Sequence, residues 1–325
     1  MSVPKTEKKK TPALAKRRNK WTRDDTELTL LALPTTVWFI LFCYLPMFGI
    51  ILSFKDYKIL QDTNFLVSLL KSEWVGFENF QYFFGLRDFP MILRNTVCYN
   101  LVFIVLDIVL PVGLAIMISN IYSKRKSKIY QTLMFMPHFM SWVVVAYFVY
   151  AFLVTDKGLA NAIIRMFGGK NINWYFEPDV WPAILIFMHI WKGIGYSMVV
   201  YLASITGIDT SLYEAAVLDG ASKWQQAKYI TLPSLQPIII MMFILAVGRI
   251  FSSDFGLFYQ VTRGAGQPLT PVVATFDVKI FQMVTTSVRL GQNAAASMFQ
   301  SIVGCITILT ANWLVKKVDP DSGII

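Results

Sequence analysis

The chain has 325 residues, of which 55% are hydrophobic and 15% are charged, and its formal net charge is +10. Soluble domains carry about one quarter charged residues, so too little charge is present to coat two globular domains, and disorder and collagen are excluded as well. The apolar runs are long and do not alternate, which excludes a β-barrel built from ~10-residue alternating strands. The composition therefore predicts an all-α polytopic membrane protein.

Six long apolar stretches follow a basic N-terminal tail, residues 1–27, that is predicted to be disordered. A hydrocarbon core of ~30 Å needs about 20 mostly apolar residues in a helix, and each stretch satisfies that length. They make residues 28–325 a single membrane domain. The six predicted transmembrane helices are Leu28–Phe54, Leu93–Ile121, Ile129–Val154, Trp181–Ile205, Ser234–Phe258 and Asn293–Val315.

The distribution of lysine and arginine predicts the orientation of these spans. The tail is rich in both, the connection Tyr122–Lys128 is basic with no acidic residue, and Lys316 and Lys317 follow the last span. The connection Lys55–Met91 instead balances four basic residues against five acidic ones. Basic segments stay in the cytoplasm, so both termini are expected there, in a bacterial plasma membrane. The same topology explains most of the positive charge without a nucleic-acid partner.

The connection between the fourth and fifth spans, residues 207–233, is long and not strongly basic. Asp209, Thr210 or Ser211 can cap a short helix Leu212–Asp219, with Glu214 placed to close a capping box from Ser211. Gly220 suits the left-handed position after that helix. Ser222 can then cap a second helix running to about Tyr229, before Pro233 starts the next unit. We expect two helices joined at a glycine and projecting from the bilayer.

The spacing of this segment is similar to the EAA motif of permease subunits of ABC importers. The matching pattern is Glu-Ala-Ala, three residues, Gly, nine residues and Ile-x-Leu-Pro. Its extended form resembles the carbohydrate-uptake branch, and the Gln300–Asn312 stretch resembles the subgroup that handles larger oligosaccharides in Gram-positive bacteria. The residues that carry the motif and its extension are Tyr213, Glu214, Ala215, Ala216, Asp219, Gly220, Ala221, Ile230, Leu232 and Pro233.

The resemblance implies the type I ABC importer permease fold with six transmembrane helices, acting in ATP-driven uptake of a sugar, and of an oligosaccharide in particular. It implies four kinds of contact: a second, related permease subunit, two ATPase subunits, an extracellular solute-binding protein and membrane lipid. The motif residues would form the coupling helix through which the ATPase drives alternating access. Small residues at Ala215 and Ala216 allow close docking, Glu214 offers a charge, and Gly220 sets the angle between the helices.

No ATP site is predicted on this chain. A P-loop needs Gly-x-x-x-x-Gly-Lys-Ser/Thr, but the pair Gly169-Lys170 is followed by Asn171 and preceded by Ile164 where the first glycine belongs. ATP and magnesium are therefore expected on the partner ATPase, and the chain is expected not to be an enzyme. The three cysteines and two histidines lie in apolar stretches, so no metal site is predicted.

Polar and aromatic residues inside the spans are the candidates for the substrate path. Ionisable side chains in a membrane usually face a cavity or a partner, and Asp107 in mid-span is the most costly of them. A buried structural hydrogen bond explains Asp107 as well as a path role does, and a structural salt bridge explains Lys192 equally well. The predicted path residues are Trp142, Tyr147, Tyr150, Lys192, Tyr196, Ser253, Asp254 and Asn293.

Three other interpretations remain open from the sequence. An ABC permease for a non-sugar solute is disfavoured by the Tyr213-Glu214 and Asp219-Gly220-Ala221 steps and by the aromatic-rich spans. A stand-alone secondary carrier would be supported by inverted internal repeats, and none is evident. A scaffold protein without transport would carry no solute. ATP dependence of uptake separates these interpretations.

Overall fold

A computed structural model describes residues 22–58, 64–286 and 289–318. Most of the predicted N-terminal tail lies outside these ranges. The described chain is almost entirely helical, which agrees with the predicted all-α class. Its longer helices are α1 (Arg23–Phe39), α4 (Phe89–Ser119), α5 (Lys124–Phe135), α6 (Trp142–Leu153), α8 (Trp181–Thr206), α11 (Leu232–Val247), α13 (Phe276–Thr286) and α14 (Leu290–Val318).

Short elements connect the long helices. One two-stranded antiparallel ribbon, β1 (Lys55–Asp56) with β2 (Glu73–Trp74), pairs Lys55 with Trp74. The short α-helices are α2 (Phe65–Lys71), α3 (Glu78–Phe84), α7 (Leu159–Met166), α9 (Thr210–Leu218), α10 (Lys223–Gln226) and α12 (Thr270–Val273). Four further segments are 3-10 helices: Leu45–Phe54, Met136–Phe139, Trp174–Phe176 and Pro178–Val180. Three are π-helical turns: Ile40–Tyr44, Ala227–Thr231 and Gly256–Gln260.

The chain divides into two units, one ending at Gly49 and one starting at Ile50. In the first unit, Thr22 and Asp25 form a capping box at the start of α1. No residue of α1 is buried, although the helix is largely apolar beyond its first turn. Such a surface is stable only in contact with lipid or with another protein.

Five helical segments are long and apolar enough to cross a membrane. A sixth span exists if the pair formed by Lys124–Phe139 and Trp142–Leu153 is counted as one, but that pair is bent by 98°. The five continuous segments are Arg23–Phe54, Phe89–Ser119, Pro178–Thr206, Lys223–Val247 and Leu290–Lys317.

The predicted third span, Ile129–Val154, is therefore not one straight helix. Pro137 lies in a tight helical turn that ends at Met140, whose backbone is extended. Ser141 then caps α6 by accepting a hydrogen bond from the Val144 amide at 3.3 Å. Proline cannot donate to the preceding turn, and a new cap starts a new helix, so the two halves diverge.

The predicted fifth span, Ser234–Phe258, ends earlier than its hydropathy suggests, because α11 stops at Val247. The backbone beyond it is not left unsatisfied. The Asn100 side-chain amide donates to the carbonyls of Ile250 (3.1 Å) and Ser252 (2.9 Å), and the Ser253 amide donates to Asp277 at 2.5 Å. Non-helical backbone at membrane depth requires such partners, and α4 and α13 supply them.

The core of the second unit is built on α4 and α8, which pack along each other. One buried cluster joins Phe103 of α4 and Leu185 of α8 to the segment around Phe258. Another joins Ala115 of α4 to Met198 and Tyr201 of α8 and to α11. The two clusters fix the helices that surround the central cavity described below.

A glycine allows α8 to touch the bent pair directly. At Gly195 an added Cβ would collide with the backbone carbonyl of Met134 in α5. At Gly193, two residues earlier, an added Cβ would meet nothing within 4 Å. Close backbone approach at one glycine explains how α5 and α8 pack tightly.

Candidate functional site

The segment between α8 and α11 forms a helical hairpin, residues 207–233. Its first helix, α9, is capped by Asp209, which accepts a hydrogen bond from the Ser211 amide at 2.9 Å. That amide, and then the Ser211 hydroxyl, lower the pKa of Asp209 from its usual value. Because the folded pKa lies below the unfolded one, the ionised Asp209 carboxylate stabilises the helix at pH values above the ordinary titration range of aspartate. This stabilisation is lost as the pH falls through the folded pKa.

The start of α9 differs in detail from the prediction. The capping box between Ser211 and Glu214 is not formed, and the helix starts at Thr210 rather than Leu212. The reason is that Asp209 already accepts the Ser211 amide, so the turn is closed two residues earlier. Glu214 is consequently exposed, and it makes no hydrogen bond or ion pair with any residue that the structure describes.

The end of α9 is a complete Schellman motif around Gly220. The Ala221 amide donates to the Ala216 carbonyl at 2.8 Å, and the Gly220 amide donates to the Val217 carbonyl at 3.0 Å. Gly220 has a φ of +77°, the left-handed conformation that costs other residues free energy. The predicted role of this glycine as the corner of the hairpin therefore has a defined backbone geometry.

The second helix of the hairpin is continuous with the next membrane segment. Ser222 and Gln225 form a capping box at the start of α10, and the helical path then runs without a break from Lys223 to Val247. The predicted stop near Tyr229 is therefore wrong. A wide helical turn, Ala227–Thr231, precedes Pro233 and accommodates its missing amide donor.

Two contacts hold the hairpin closed. The Tyr213 hydroxyl lies 2.9 Å from the Thr231 hydroxyl, which joins α9 to the helical turn before α11. The buried Gln226 side chain donates to the Ala221 carbonyl at 3.1 Å, which fixes the corner to α10. These hydrogen bonds join α9 firmly to the start of the helical segment Lys223–Val247, so the two are expected to move together.

The outer surface of the hairpin is apolar and unusually exposed. Leu218 is 88% exposed and Trp224 is 77% exposed, next to the exposed Ala215 and the half-buried Ala216. Asp219 is exposed, Ala221 and Ile230 are half-buried, and Leu232 and Pro233 are exposed. An apolar patch beside an unpaired carboxylate is typical of a protein-binding surface.

A central cavity of about 600 Å³ lies between α4, α8, α11 and the non-helical segment after α11. Three of the predicted path residues, Tyr196, Ser253 and Asp254, line it. Met242 and Leu245 of α11 also line it. The long helix that starts in the hairpin therefore ends in the wall of this cavity.

The cavity wall contains an aspartate–histidine pair within hydrogen-bonding distance. His189 Nε2 lies 3.0 Å from Asp107 Oδ2, and the Phe103 ring stacks on the imidazole with centroids 3.8 Å apart. Asp107 was singled out in the sequence, but its partner was not. An aspartate and a histidine in the middle of two apolar stretches were the available signal, since buried charges are generally paired.

Arg249 is another charged group in this wall. It is recognisable in the sequence as an ionisable residue inside a span, but it is not among the predicted path residues. It is exposed to the cavity, and its guanidinium makes no hydrogen bond or ion pair with the described residues. A guanidinium has five donors in a fixed plane. These donors are available to the hydroxyl or carboxylate oxygens of a ligand.

Trp142 and Asp254 form a hydrogen-bonded pair beside the cavity. The indole Nε1 donates to Asp254 Oδ2 at 2.7 Å, and Asp254 Oδ1 accepts the Leu257 amide at 3.2 Å. Trp142 packs against Gly256, where an added Cβ would collide with the indole ring. Asp254 thus positions the ring of Trp142. The sequence predicted both as path residues but did not predict this contact between them.

The structure does not bring the remaining predicted path residues into the central cavity. Lys192 donates to the His138 carbonyl at 3.1 Å and lies 5.1 Å from the centroid of the Trp142 ring, which fits a structural role. Tyr147 and Tyr150 line a separate cavity. Asn293 is buried near the start of α14, and its side-chain amide has no hydrogen-bond partner among the described residues.

Comparison with known proteins identifies relatives over most of the chain. Residues 108–321 match the family described as "Binding-protein-dependent transport system inner membrane component". Protein LplB of Bacillus subtilis (strain 168) is 31% identical over 94% of this chain and 92% of its own length. The polygalacturonan/rhamnogalacturonan transport system permease protein YteP of the same organism is 33% identical over 89% of this chain and 88% of its own length.

A solved structure has the same fold. A chain of a bacterial ABC transporter involved in the import of the acidic polysaccharide alginate superposes with a TM-score of 0.81 and 30% identity. The match covers 91% of this chain and 97% of that chain. A chain of a bacterial alginate ABC transporter in complex with an alginate pentasaccharide-bound periplasmic protein superposes with a TM-score of 0.80 and 30% identity.

Proposed function

This chain belongs to the family of binding-protein-dependent transport system inner membrane components, and from that premise we propose that it imports an oligosaccharide as one membrane-spanning subunit of an ABC transporter. Membership makes it a transport component rather than an enzyme. ATP is hydrolysed on a separate chain, where ATP and magnesium would bind.

The proposed assembly contains a second, related permease subunit, two ATPase subunits and an extracellular solute-binding protein. A single copy leaves α1 without buried residues, so part of its surface is expected to meet a partner or lipid. The proposed orientation places both termini in the cytoplasm, because the N-terminal tail, the Tyr122–Lys128 connection and the end of the last span are basic. Counting the spans from these segments places the hairpin on the same side.

The observation that carries the proposal is the continuous helix from the hairpin to the cavity. It begins at Lys223 beside the Schellman corner, and its last turns contribute Met242 and Leu245 to the cavity wall. An ATPase that grips α9 and moves it would therefore move the cavity wall as a rigid body. Alternating access follows if closing of the ATPase dimer on ATP turns the cavity outward and hydrolysis turns it back.

An oligosaccharide is the cargo that the chemistry and the relatives support. Aromatic faces pack against the C–H faces of sugars, while carboxylates, amides and guanidinium groups bind hydroxyls. The cavity offers Tyr196, Ser253 and Arg249 for these contacts. The relatives named for sugar transport include YteP and the lactose transport system permease protein LacF of Rhizobium radiobacter, which is 31% identical over 59% of this chain and 63% of its own length.

Uptake by the reconstituted transporter tests this function. We expect vesicles that contain the permease pair, the ATPase and the binding protein to accumulate oligosaccharide only when ATP is supplied to the hairpin side. Omitting the ATPase should abolish uptake while the permease pair remains inserted. Gradient-driven uptake without ATPase would instead identify a secondary carrier, and ATP-driven uptake of only a non-sugar solute would identify another branch of the family.

A further inference from the structure

A second cavity, of about 400 Å³, lies between α6 and the segment that follows α11. Three tyrosines line it, Tyr147, Tyr150 and Tyr259, together with Gln260 and Arg263. Arg263 supplies the charge of this lining, which contains no acidic residue. The cavity is distinct from the central one, whose wall contains Asp107 and Asp254.

The guanidinium of Arg263 has no acceptor among the described residues. Its Cζ lies 4.2 Å from the centroid of the Tyr150 ring, and the side chain is exposed. Stacking on an aromatic face orients the planar group but uses none of its N–H donors. The fork of donors is therefore oriented and available for a planar, two-oxygen acceptor such as a carboxylate.

The backbone at Arg263 is in the left-handed conformation, which glycine adopts more easily than arginine. Its φ is +57°, in the left-handed region, which costs a non-glycine residue about 1–2 kcal/mol. The turn is closed by the Gly264 amide donating to the Tyr259 carbonyl at 2.7 Å, and the Arg263 amide donates to Gln260 at 3.1 Å. Strain of this kind is concentrated at ligand-binding positions, and here it places an arginine at the rim of the cavity.

The aromatic part of the cavity is packed against other rings on one side and exposed on the other. Tyr147 is 73% exposed, so its ring face is open to a ligand. Tyr259 stacks on Phe255 with centroids 4.8 Å apart and meets Phe281 edge-on at 4.9 Å. Behind Tyr150 lies Tyr175, at a centroid distance of 6.0 Å, and burial raises the pKa of its hydroxyl to about 12. That neighbour therefore stays uncharged and does not neutralise the guanidinium.

We propose that this second cavity is a subsite for an acidic sugar residue, a uronate, whose ring packs on the tyrosines and whose carboxylate is bound by Arg263. The proposal rests on the proposed function and adds the charge of the cargo to it. Gln260 supplies donor and acceptor groups for the hydroxyls of the same residue. A neutral sugar would leave the guanidinium without the acceptor that best matches its fork.

Direct binding tests the subsite without the selectivity of the binding protein. The complete transporter in nanodiscs, without binding protein, is titrated with trigalacturonate and separately with its fully methyl-esterified, neutral form. We expect the wild type to bind the acid at least about 10-fold more tightly, as a charge-assisted bidentate contact allows. Arg263→Gln should remove this preference, and Arg263→Lys should retain part of it because the charge remains without the fork.

Two controls separate binding from folding and from general charge. Gln at position 263 has the same backbone requirement as Arg, so the melting temperature should stay within about 2 °C of the wild type. Lys157→Gln removes an exposed cation outside both cavities and should leave the preference for the acid unchanged. The preference should also weaken as the salt concentration rises.

Several outcomes would overturn the subsite. Equal binding of acid and ester by the wild type, or an unchanged preference in Arg263→Gln, would contradict it. Loss of the second permease subunit from Arg263→Gln would show that the cavity is a subunit contact instead. In each case ATP-driven uptake of a neutral oligosaccharide would leave the proposed function intact, whereas failure of all ATP-driven sugar uptake would reject that function itself.

Discussion

Replacing Gly220 by valine is expected to lower ATP-driven uptake at least about 10-fold while the protein remains in the membrane. Gly220 has a φ of +77°, and a left-handed conformation costs a residue with a side chain about 1–2 kcal/mol, with β-branched residues the worst suited. The Schellman bonds from Gly220 and Ala221 to α9 would be lost or strained. The angle between α9 and the long helix would then change, and the ATPase would move α9 without moving the cavity wall.

The matched control for this prediction is Gly220→Asn. Asparagine tolerates the left-handed conformation, and no atom lies within 4 Å of a Cβ added at this position. We expect Gly220→Asn to retain most of the uptake. The measurements are uptake in vesicles and ATP hydrolysis stimulated by the loaded binding protein. Equal uptake by the valine and asparagine variants would contradict a mechanical role for the corner.

Asp254→Ala is expected to lower uptake about 10-fold, mainly by changing its dependence on substrate concentration. The substitution leaves the Trp142 indole N–H without its acceptor at 2.7 Å, so the contact that orients the ring is lost. The indole ring would leave its place against Gly256, and the cavity wall would lose both its carboxylate and its aromatic support. Tyr196→Ala, which removes a ring from the same wall, should act in the same direction.

Asp254→Asn serves as the control because its side-chain oxygen can still accept the indole hydrogen bond. If positioning of Trp142 is the main effect, the asparagine variant should keep more than half of the wild-type uptake. If the charge of Asp254 itself binds substrate, asparagine and alanine should be equally impaired. Unchanged kinetics for Asp254→Ala and Tyr196→Ala together would remove the central cavity from the path.

The helical hairpin, residues 207–233, could be predicted well from the sequence because its signals are local. A glycine after a short helix and a serine before the next one are sufficient to place the corner, and Gly220 and Ser222 occupy those positions. The start of α9 was less certain, since Asp209, Thr210 and Ser211 are all capping residues and the choice among them depends on backbone geometry.

The spans were predicted less accurately where side chains replace helical hydrogen bonds. Hydropathy measures the average apolar character of a window, so it does not register that Asn100 and Asp277 satisfy the backbone beyond Gly248. The bend in the third span depends in the same way on Pro137 and on the cap at Ser141. Both interruptions lie in segments that are apolar enough to be continuous helices.

The path residues were predicted only in part because their roles depend on contacts between distant segments. Asp107 and His189 are 82 residues apart in the chain, and only packing of α4 on α8 brings them together. Lys192 is oriented towards a backbone carbonyl rather than into the cavity. Arg249 is recognisable from the sequence as an ionisable residue inside a span, whereas Arg263 differs from the other arginines only in its surroundings, which composition does not reveal.

Site-directed crosslinking tests most directly whether α9 is where the ATPase grips this chain. After replacement of Cys43, Cys98 and Cys305, a single cysteine is introduced either at Leu218, 88% exposed at the end of α9, or at Phe167, 89% exposed after α7. In the assembled transporter, Leu218→Cys should crosslink to the ATPase subunit and the crosslink should block ATP-driven uptake, whereas Phe167→Cys should not reach that subunit. Failure of Leu218→Cys to crosslink, or full uptake by the crosslinked transporter, would contradict coupling through α9.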